Sequence, residues 1–281
     1  MKIELTRFKA RKSTKQIPGL SSADIEKFRF YEKSVQCPFE DIKLVNKAFK
    51  KMNGRRPLSL REDFCGSGWM ACEWVKQSPK HKSVGIDLSP EPVIFGKAEH
   101  WAKLSVSQRS RVRYLLEDVR KKRNSKFDVI AALNFSYWIF KTRSELKEYF
   151  KSVYDSLNQG GVLMIDFFGG SESQEEKTRK TQWGNLSYYW QCSAFDPVNN
   201  HGAYAIHFKQ KGKKTIRNAF MYHWRMWSGP ELRDILIEVG FRETPQYWEG
   251  TNRRGGGDGN FIPSVWEENC QMWQAFILAK K

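Results

Sequence analysis

Short runs of strand character alternate with amphipathic stretches through the first two thirds of the chain. The runs lie at residues 57–63, 83–88, 112–116, 127–133 and 162–168, and helical spacing follows most of them. The run at residues 127–133 is almost continuously apolar, which is typical of a strand buried on both faces. Strands and helices in this alternation predict an α/β fold with a doubly wound, mostly parallel sheet.

Further elements complete the predicted order. Helices are predicted at residues 22–35, 41–52, 91–104, 144–157 and 229–239, and additional strands at 186–195, 202–209, 215–224, 244–248 and 272–278. The polar stretch after Gly169-Gly170 is predicted to be mobile, and residues 252–260 to form a flexible glycine-rich surface loop. Residues 1–20, charged and without periodicity, are predicted to form a loose or docked arm.

Four segments follow from this order. We predict a helical cap at residues 1–54, a cofactor-binding core at 55–168, a β-rich lid insertion at 169–228 and a completion of the core sheet at 229–281. The insertion is too short to form a hydrophobic core of its own, so the chain is predicted to be a single domain.

The turn after the first strand has the composition of a ligand-binding turn. Phe64-Cys65-Gly66-Ser67-Gly68 stands directly before a predicted helix that begins at Trp69. Glycine allows a backbone to approach a ligand closely, and free N–H groups at a helix start favour a carboxylate or phosphate. Doubly wound domains hold nucleotide-like cofactors with this arrangement, although a plain connecting turn is the alternative for the turn taken alone.

Acidic residues follow two of the later strands, at the edge where open α/β sheets bind ligands. Asp87 is predicted to accept hydrogen bonds from a ribose diol, with capping of the next helix as the alternative. Asp118 is predicted to accept from an adenine amino group, with loop capping as the alternative. Past the fourth strand, Asn134, Tyr137 and Trp138 form a polar and aromatic cluster that we expect at the mouth of the cleft.

The composition is that of a soluble globular protein with a large positive charge. Hydrophobic residues make up 40% and charged residues 28% of the chain, and the net charge is +17. No apolar run approaches a membrane span, and the N-terminus lacks the apolar core of a secretory signal. Five cysteines without a C-x-x-C pair fit a reducing compartment and no structural zinc. A cytoplasmic protein is predicted, and its basic clusters leave RNA binding open.

Together and in order, these motifs resemble those of the class I S-adenosylmethionine-dependent methyltransferases. The matching pieces are LREDFCGSG at 60–68, VGID at 84–87, EDV at 117–119, FDVI at 127–130 and LNQGG at 157–161. More narrowly, EDFCGSG with ALNFSYWIFKTR and FDPVNN is similar to a group of bacterial methyltransferases of unassigned substrate. The resemblance implies a Rossmann-like, mostly parallel sheet of seven strands with an antiparallel β insertion as lid. It also implies S-adenosylmethionine as cofactor and S-adenosylhomocysteine as product.

The resemblance further implies which residues hold the cofactor. They are Glu62, Phe64, Cys65, Gly66, Ser67, Gly68, Asp87, Leu88, Asp118, Val119, Asn134 and Phe135. Glu62 is expected to meet the ammonium group of the cofactor, and helix N–H groups near Ser67 and Gly68 its carboxylate. Phe64 stands where the family usually has glycine, so its ring is expected to narrow the floor of the site or to pack against the cofactor.

Methyl transfer is an in-line displacement that needs a nucleophile held close to the methyl group in a cleft largely closed to water, and it needs no metal. The side chains predicted on the substrate side are Asn134, Tyr137, Trp138, His207, His223 and Arg225. The two histidines are candidate bases, with surface histidines of hairpins as the alternative. Arg225 is predicted either to pair with a substrate carboxylate or to cover the lid.

These observations favour a small-molecule methyltransferase and leave two alternatives open. The basic clusters permit an RNA-modifying methyltransferase, or a non-catalytic module that binds RNA or the cofactor. A nicotinamide dehydrogenase shares the fold but is disfavoured, because Ala71 stands where the third glycine of its turn would be. The acceptor atom, any general base and the oligomeric state are not determined by the sequence.

Overall fold

A computed structural model describes residues 16–252 and 256–281. Residues 1–15 of the predicted arm and residues 253–255 of the predicted glycine-rich loop lie outside this range. The helices are α1 Ser22–Val35, α2 Pro38–Asn53, α3 Trp69–Lys76, α4 Pro90–Glu99, α5 Val106–Arg109, α6 Arg143–Ser156 and α7 Gly229–Val239. The strands are β1 Ser59–Asp63, β2 Lys82–Asp87, β3 Val112–Leu116, β4 Phe127–Ala132, β5 Leu157–Gly169, β6 Thr178–Trp183, β7 Leu186–Asp196, β8 His201–Gln210, β9 Ile216–Arg225, β10 Gln246–Thr251, β11 Gly257–Ser264 and β12 Trp273–Lys280.

A large sheet of eight strands, ordered β11-β10-β12-β5-β4-β1-β2-β3, organises the molecule. Strands β1 to β5 run parallel, while β12, β10 and β11 are antiparallel to their neighbours. The central strand β4 is buried along its whole length, as its apolar sequence predicts. Helices α6 and α7 bury side chains on one face of the sheet, and α2 and α3 on the other. The predicted doubly wound fold is confirmed, with one strand more than expected.

The additional strand is β11, which begins inside the segment predicted to be a flexible loop. It pairs with β10 at the edge of the sheet, and its residues alternate between partly buried and exposed along most of its length. An edge strand is hydrogen-bonded on one side only, so β11 tolerates Pro263 and two glycines. The same residues hide its period in the sequence, which is why the loop prediction is wrong here.

Strand β6 corrects a second prediction, because it forms within the polar stretch expected to be mobile. It pairs with β7 along its full length. Arg179, Thr181 and Trp183 are partly buried, while the residues between them are exposed. A half-exposed edge strand carries mostly polar residues, so its composition resembles that of a loop.

Strands β6 to β9 form a separate antiparallel sheet, which we call the lid sheet. Helix α1 connects it to the large sheet, because Phe28 contacts Phe95 of α4 at a ring distance of 5.3 Å and Phe220 of β9 at 6.1 Å. On the opposite side, Phe168 near the end of β5 meets Trp190 of β7 edge-on at 6.4 Å. The lid sheet therefore lies over the carboxyl ends of the parallel strands, where open α/β sheets bind ligands.

Candidate functional site

The turn after β1 is held by the carboxylate at the end of β2. Asp87 Oδ2 accepts the N–H of Gly66 at 2.7 Å, and its Oδ1 accepts the N–H of Ser89 at 2.8 Å. Phe64 and Gly66 both have φ +54° and Gly68 has φ +62°, so the chain passes three times through the left-handed region. Each carboxylate oxygen keeps a further lone pair, so the capping geometry is compatible with the ribose contact that we predict for Asp87.

Helix α1 reaches the same turn from the other side. Ser67 Oγ donates to Glu32 Oε1 at 2.6 Å, and His100 Nε2 lies 2.6 Å from the same oxygen. The ring of His100 stacks on Trp69 with the centroids 5.2 Å apart. Glu32 is not predicted from the sequence, because a charged residue in an amphipathic helix normally lies on the solvent face of that helix.

Four carboxylates lie close together between the glycine turn, α2 and β5, namely those of Asp41, Glu62, Asp87 and Asp166. Burial, together with repulsion from Asp166, raises the pKa of Asp41 to about 8. Burial likewise raises the pKa of Glu62 to about 8, with smaller contributions from Asp41 and Asp87. Glu62 Oε2 accepts the N–H of Ala71 at 2.8 Å, whereas the Asp41 carboxylate gains no hydrogen bond from the described part of the chain. The cleft is thus acidic in a protein whose net charge is +17.

An acidic cleft favours a cationic ligand, because a bound cation relieves the repulsion among the carboxylates. The expected cofactor carries an ammonium and a sulfonium cation, so the residues present fit it. Glu62 and Asp87 are among the residues predicted to hold the cofactor, whereas Asp41 and Asp166 are not. Asp41 resembles any acid in the first turn of a helix, and Asp166 is a single acid in an apolar strand.

The residues after β2 and β3 differ in their surroundings. Asp118 Oδ2 pairs with Arg120 at 2.8 Å, and this contact holds the pKa of the Asp118 carboxyl below its usual value. Val119 is buried and its carbonyl oxygen accepts from Arg61, while Leu88 is exposed. The geometry of Asp118 matches the loop-capping alternative, and the cofactor contacts of these residues stay predictions.

A buried carboxylate also holds the turn after β4. Asp166 Oδ2 accepts the N–H of Asn134 at 2.9 Å, and its Oδ1 accepts the N–H of Phe135 at 3.0 Å. Both residues have left-handed φ, +58° and +59°. For side chains other than glycine this conformation costs about 1–2 kcal/mol per residue, and it persists where the surroundings enforce it. Asp166 thereby aims Asn134 and Phe135 at the space under the lid sheet.

That space is a cavity of about 290 Å³, which we call the aromatic pocket. Nine of its seventeen lining residues are Phe, Tyr or Trp, and they include Tyr31 of α1, Phe135, Phe168 and, from the lid sheet, Trp183, Trp190 and Trp224. Burial, and to a smaller extent the charges of Asp166 and Asp87, raise the pKa of Tyr31. Tyr31 therefore lies where the acidic cleft and the aromatic pocket meet.

Tyr137 and Trp138 are predicted to lie on the substrate side. That prediction is wrong, because both side chains are fully buried. The chain turns through a 3-10 helix, Ser136–Ile139, directly after Phe135. The Tyr137 hydroxyl donates to the carbonyl oxygen of Asp166 at 2.8 Å, and Trp138 packs on Phe168 at 4.8 Å. The two side chains support the pocket wall from behind.

The lid histidines also lie outside the lining of the aromatic pocket. His207 Nε2 lies 2.8 Å from Gln191 Oε1, and its Nδ1 accepts the N–H of Asn218 at 2.8 Å. His223 is exposed and follows Tyr222, which does line the pocket, so strand alternation turns it outward. Both histidines match the alternative of hairpin residues on the surface.

Arg225 forms its contacts with neighbouring elements of the fold. Its Nη2 lies 3.2 Å from Glu231 Oε1, and its Nη1 donates to the carbonyl oxygen of Lys141 at 3.2 Å. The guanidinium also lies over the ring of Trp227 at 3.8 Å. Of its two predicted roles, these contacts match covering of the lid.

Two features are missing from residues 16–252 and 256–281. No three His, Cys, Asp or Glu side chains are grouped as a metal site requires. None of the helices there is both long enough and apolar enough to cross a membrane.

Replacing Asp41 with Asn is expected to stabilise the protein without cofactor at pH 8 but not near pH 4. The folded-state pKa of about 8 lies above the ordinary value of 3.8, so the protonated group favours folding at low pH. That contribution is lost as the pH rises from about 4 to about 8. Asn does not ionise, and thermal midpoints at pH 8 should rise by about 2–4 °C for each kcal/mol retained.

Asp155→Asn is the control for this measurement, since the Asp155 side chain is 51% exposed. Its midpoint should follow that of the unmodified protein across the range. An Asp41→Asn effect that does not change between pH 4 and 8 would show that Asp41 ionises as an ordinary carboxylate.

Comparison with known proteins points to one family. A family profile described as "Methyltransferase domain" matches residues 65–163. The chain is 28% identical over 187 residues to the Bacillus subtilis (strain 168) protein named "Putative methyltransferase YqeM", a match that covers 63% of this chain and 71% of the relative.

Solved structures share the fold at low sequence identity. An S-adenosylmethionine-dependent methyltransferase from Clostridium acetobutylicum is similar with a TM-score of 0.65 at 17% identity, covering 90% of this chain and 96% of that one. CalS10 from Micromonospora echinaspora, an amino pentose methyltransferase, has a TM-score of 0.61 at 14% identity over 89% and 94% of the two chains. The sugar N-methyltransferase KedS8 from Streptoalloteichus has 0.57 at 13% identity over 99% and 100%.

Proposed function

Because the chain is a class I S-adenosylmethionine-dependent methyltransferase, we propose that it methylates a small molecule held in the aromatic pocket. The observation that carries this proposal is the position of Tyr31. The Tyr31 side chain lines the pocket, and it lies near enough to Asp166 and Asp87 for their negative charges to help raise its pKa. An acceptor in the pocket would therefore lie beside the cofactor cleft, as an in-line displacement requires.

The cofactor would be held by the glycine turn and the acidic cleft. Asp87 is proposed to meet the ribose diol, and Glu62 with Asp41 the cationic groups. When bound, S-adenosylmethionine supplies a methyl group on a sulfonium that leaves as a neutral thioether. The chain's own contribution is to position the acceptor and to exclude water, which the aromatic walls and the lid sheet favour.

The size and lining of the aromatic pocket support a small acceptor. A cavity of about 290 Å³ with mostly aromatic walls is typical of small-molecule sites. Among the structurally similar proteins, CalS10 and KedS8 are named for amino pentose and sugar methylation, which supports an acceptor of similar size.

The basic clusters give less support to RNA as the substrate. Arg120 pairs with Asp118, and Lys121 and Arg123 both pair with Glu117, so two acids offset half of the four positive charges at residues 120–123. Arg55 likewise pairs with Asp128. RNA binding by phosphate contacts needs uncompensated positive charge along one surface.

Asp87→Ala is expected to weaken S-adenosylmethionine binding at least tenfold, which corresponds to about 1.4 kcal/mol. Calorimetric titration of the unmodified protein should first show micromolar binding of S-adenosylmethionine and S-adenosylhomocysteine and none of NADH. A short RNA is titrated in parallel. If RNA alone binds, with a steep dependence on salt, the proposed function falls.

A second pair of titrations separates the ribose contact from the support of the glycine turn. Adenosine should lose affinity for Asp87→Ala, whereas deoxyadenosine lacking a diol hydroxyl should bind both proteins with similar affinity. Asp155→Ala serves as a matched control. Equal losses for both nucleosides would assign Asp87 to the turn only.

A further inference from the structure

The faces of the pocket rings define its electrostatic character. Tyr222 and Trp224 are stacked with centroids 4.1 Å apart, and Trp190 lies 6.2 Å from both. Phe168 meets Trp190 with its ring plane nearly perpendicular, at 87°. Aromatic faces carry partial negative charge, so the faces that these rings turn to the cavity would attract a cation.

The charged groups near the pocket also favour a cation inside it. Arg179 is the only charged residue among the seventeen that line it, and its guanidinium donates to the carbonyl oxygen of Glu172 at 2.6 Å and to the Glu172 carboxylate at 3.1 Å. Behind the wall, the Asp166 carboxylate accepts from Gln274 at 3.1 Å. An anionic acceptor would find no unpaired cation in the lining, whereas a cation would find Asp166 close by.

The lining also lacks a base. His207 and His223 lie outside it, and burial raises the pKa of Tyr188 and Tyr222, which keeps these phenols neutral. A hydroxyl acceptor would need a base to take its proton during attack. An amine that has lost its proton to water carries a free lone pair and needs none.

We propose that the acceptor atom is an amine nitrogen and that the aromatic pocket stabilises the positive charge created on it, an inference that rests on the proposed function. The nitrogen lone pair forms the new N–C bond, the C–S bond breaks, and its electron pair stays on sulfur. The positive charge moves from sulfur to nitrogen, and the N-methylammonium product then gives its proton to solvent. Rings around the nitrogen thus stabilise the transition state more than the neutral amine.

The preference of the pocket for positive charge is tested with choline and with 3,3-dimethyl-1-butanol, the neutral isostere of choline in which carbon replaces nitrogen. Both are titrated into the full chain saturated with S-adenosylhomocysteine, with tryptophan fluorescence as the readout. Choline is expected to bind at least tenfold more tightly, since cation–π contacts in desolvated sites are strong. Equal affinity, a preference for the alcohol, or no choline binding would overturn the proposal.

Variants locate the preference in the aromatic pocket. Trp190→Leu keeps an apolar side chain but removes a ring, and it should reduce the ratio of the two affinities to near one. Trp266→Leu is the control, because Trp266 is 78% exposed and does not line the pocket. A ratio unchanged in Trp190→Leu would overturn the assignment to this cavity.

An activity panel separates this inference from the proposed function. Formation of S-adenosylhomocysteine is measured with amines, phenols, thiols and carboxylic acids of similar size, each offered with S-adenosylmethionine. Turnover with amines is expected. Turnover with another class and none with amines would overturn the inference and leave the proposed function intact, whereas failure to bind S-adenosylmethionine at all would remove the proposed function itself.

Discussion

Gly96→Ala is expected to lower the free energy of unfolding by about 3 kcal/mol or more and to abolish S-adenosylmethionine binding. A Cβ at position 96 would lie 1.7 Å from the carbonyl oxygen of Ser67 and 2.5 Å from its carbonyl carbon. Both are backbone atoms of the glycine turn, so α4 or the turn must move. In a helix, replacing glycine with alanine normally raises stability by about 1 kcal/mol. The loss of stability expected for Gly96→Ala is therefore opposite in sign to the effect of helix propensity.

Chemical denaturation and calorimetric titration measure the two effects. Gly54→Ala is the control, because Gly54 ends α2 at φ +69° with nothing within 4 Å of its added Cβ. The free energy of unfolding of Gly54→Ala should fall by only about 1–2 kcal/mol, the cost of placing alanine in the left-handed conformation, and this variant should bind the cofactor normally. If Gly96→Ala instead gains stability and binds as before, α4 and the turn are not in close contact.

The sequence predicts well the elements whose stability is local or repetitive. Helices α1 and α7 match their predicted bounds, and β4 is recognised because every residue in it is buried. Strands β6 and β11 are missed for the opposite reason. Each lies at the edge of a sheet, where pairing with one neighbour replaces the apolar pattern that marks a strand.

The candidate site is predictable only where a motif carries it. Asp87 follows a strand at the spacing of a known unit, and the structure places it against the glycine turn. Asp166 and Glu32 act through hydrogen bonds with residues far away in the chain, and Asp41 through repulsion from Asp166, none of which a local pattern encodes. Tyr137 and Trp138 are misplaced because a 3-10 turn rotates them into the core immediately after Asn134 and Phe135.

A buried ion pair supports the glycine turn from below. Arg61 Nε donates to Asp63 Oδ1 at 2.6 Å, and its Nη2 donates to Asp63 Oδ2 at 2.9 Å. The Tyr149 hydroxyl donates to the same carboxylate at 2.9 Å. Both charged side chains are fully buried, and burial raises the pKa of Asp63 in spite of the attraction from Arg61.

Asp63→Ala is therefore expected to cost about 3–5 kcal/mol, because it leaves the Arg61 guanidinium buried without its anion. Urea denaturation at pH 7 measures the loss. Tyr149→Phe, which removes one hydrogen bond and keeps the pair, should cost only about 1–2 kcal/mol. The double variant Arg61→Met/Asp63→Leu should be more stable than Asp63→Ala although it changes more atoms, since it removes the unpaired charge. A double variant as unstable as Asp63→Ala would instead mean that the shape of the pair, and not its charge, holds the turn in place.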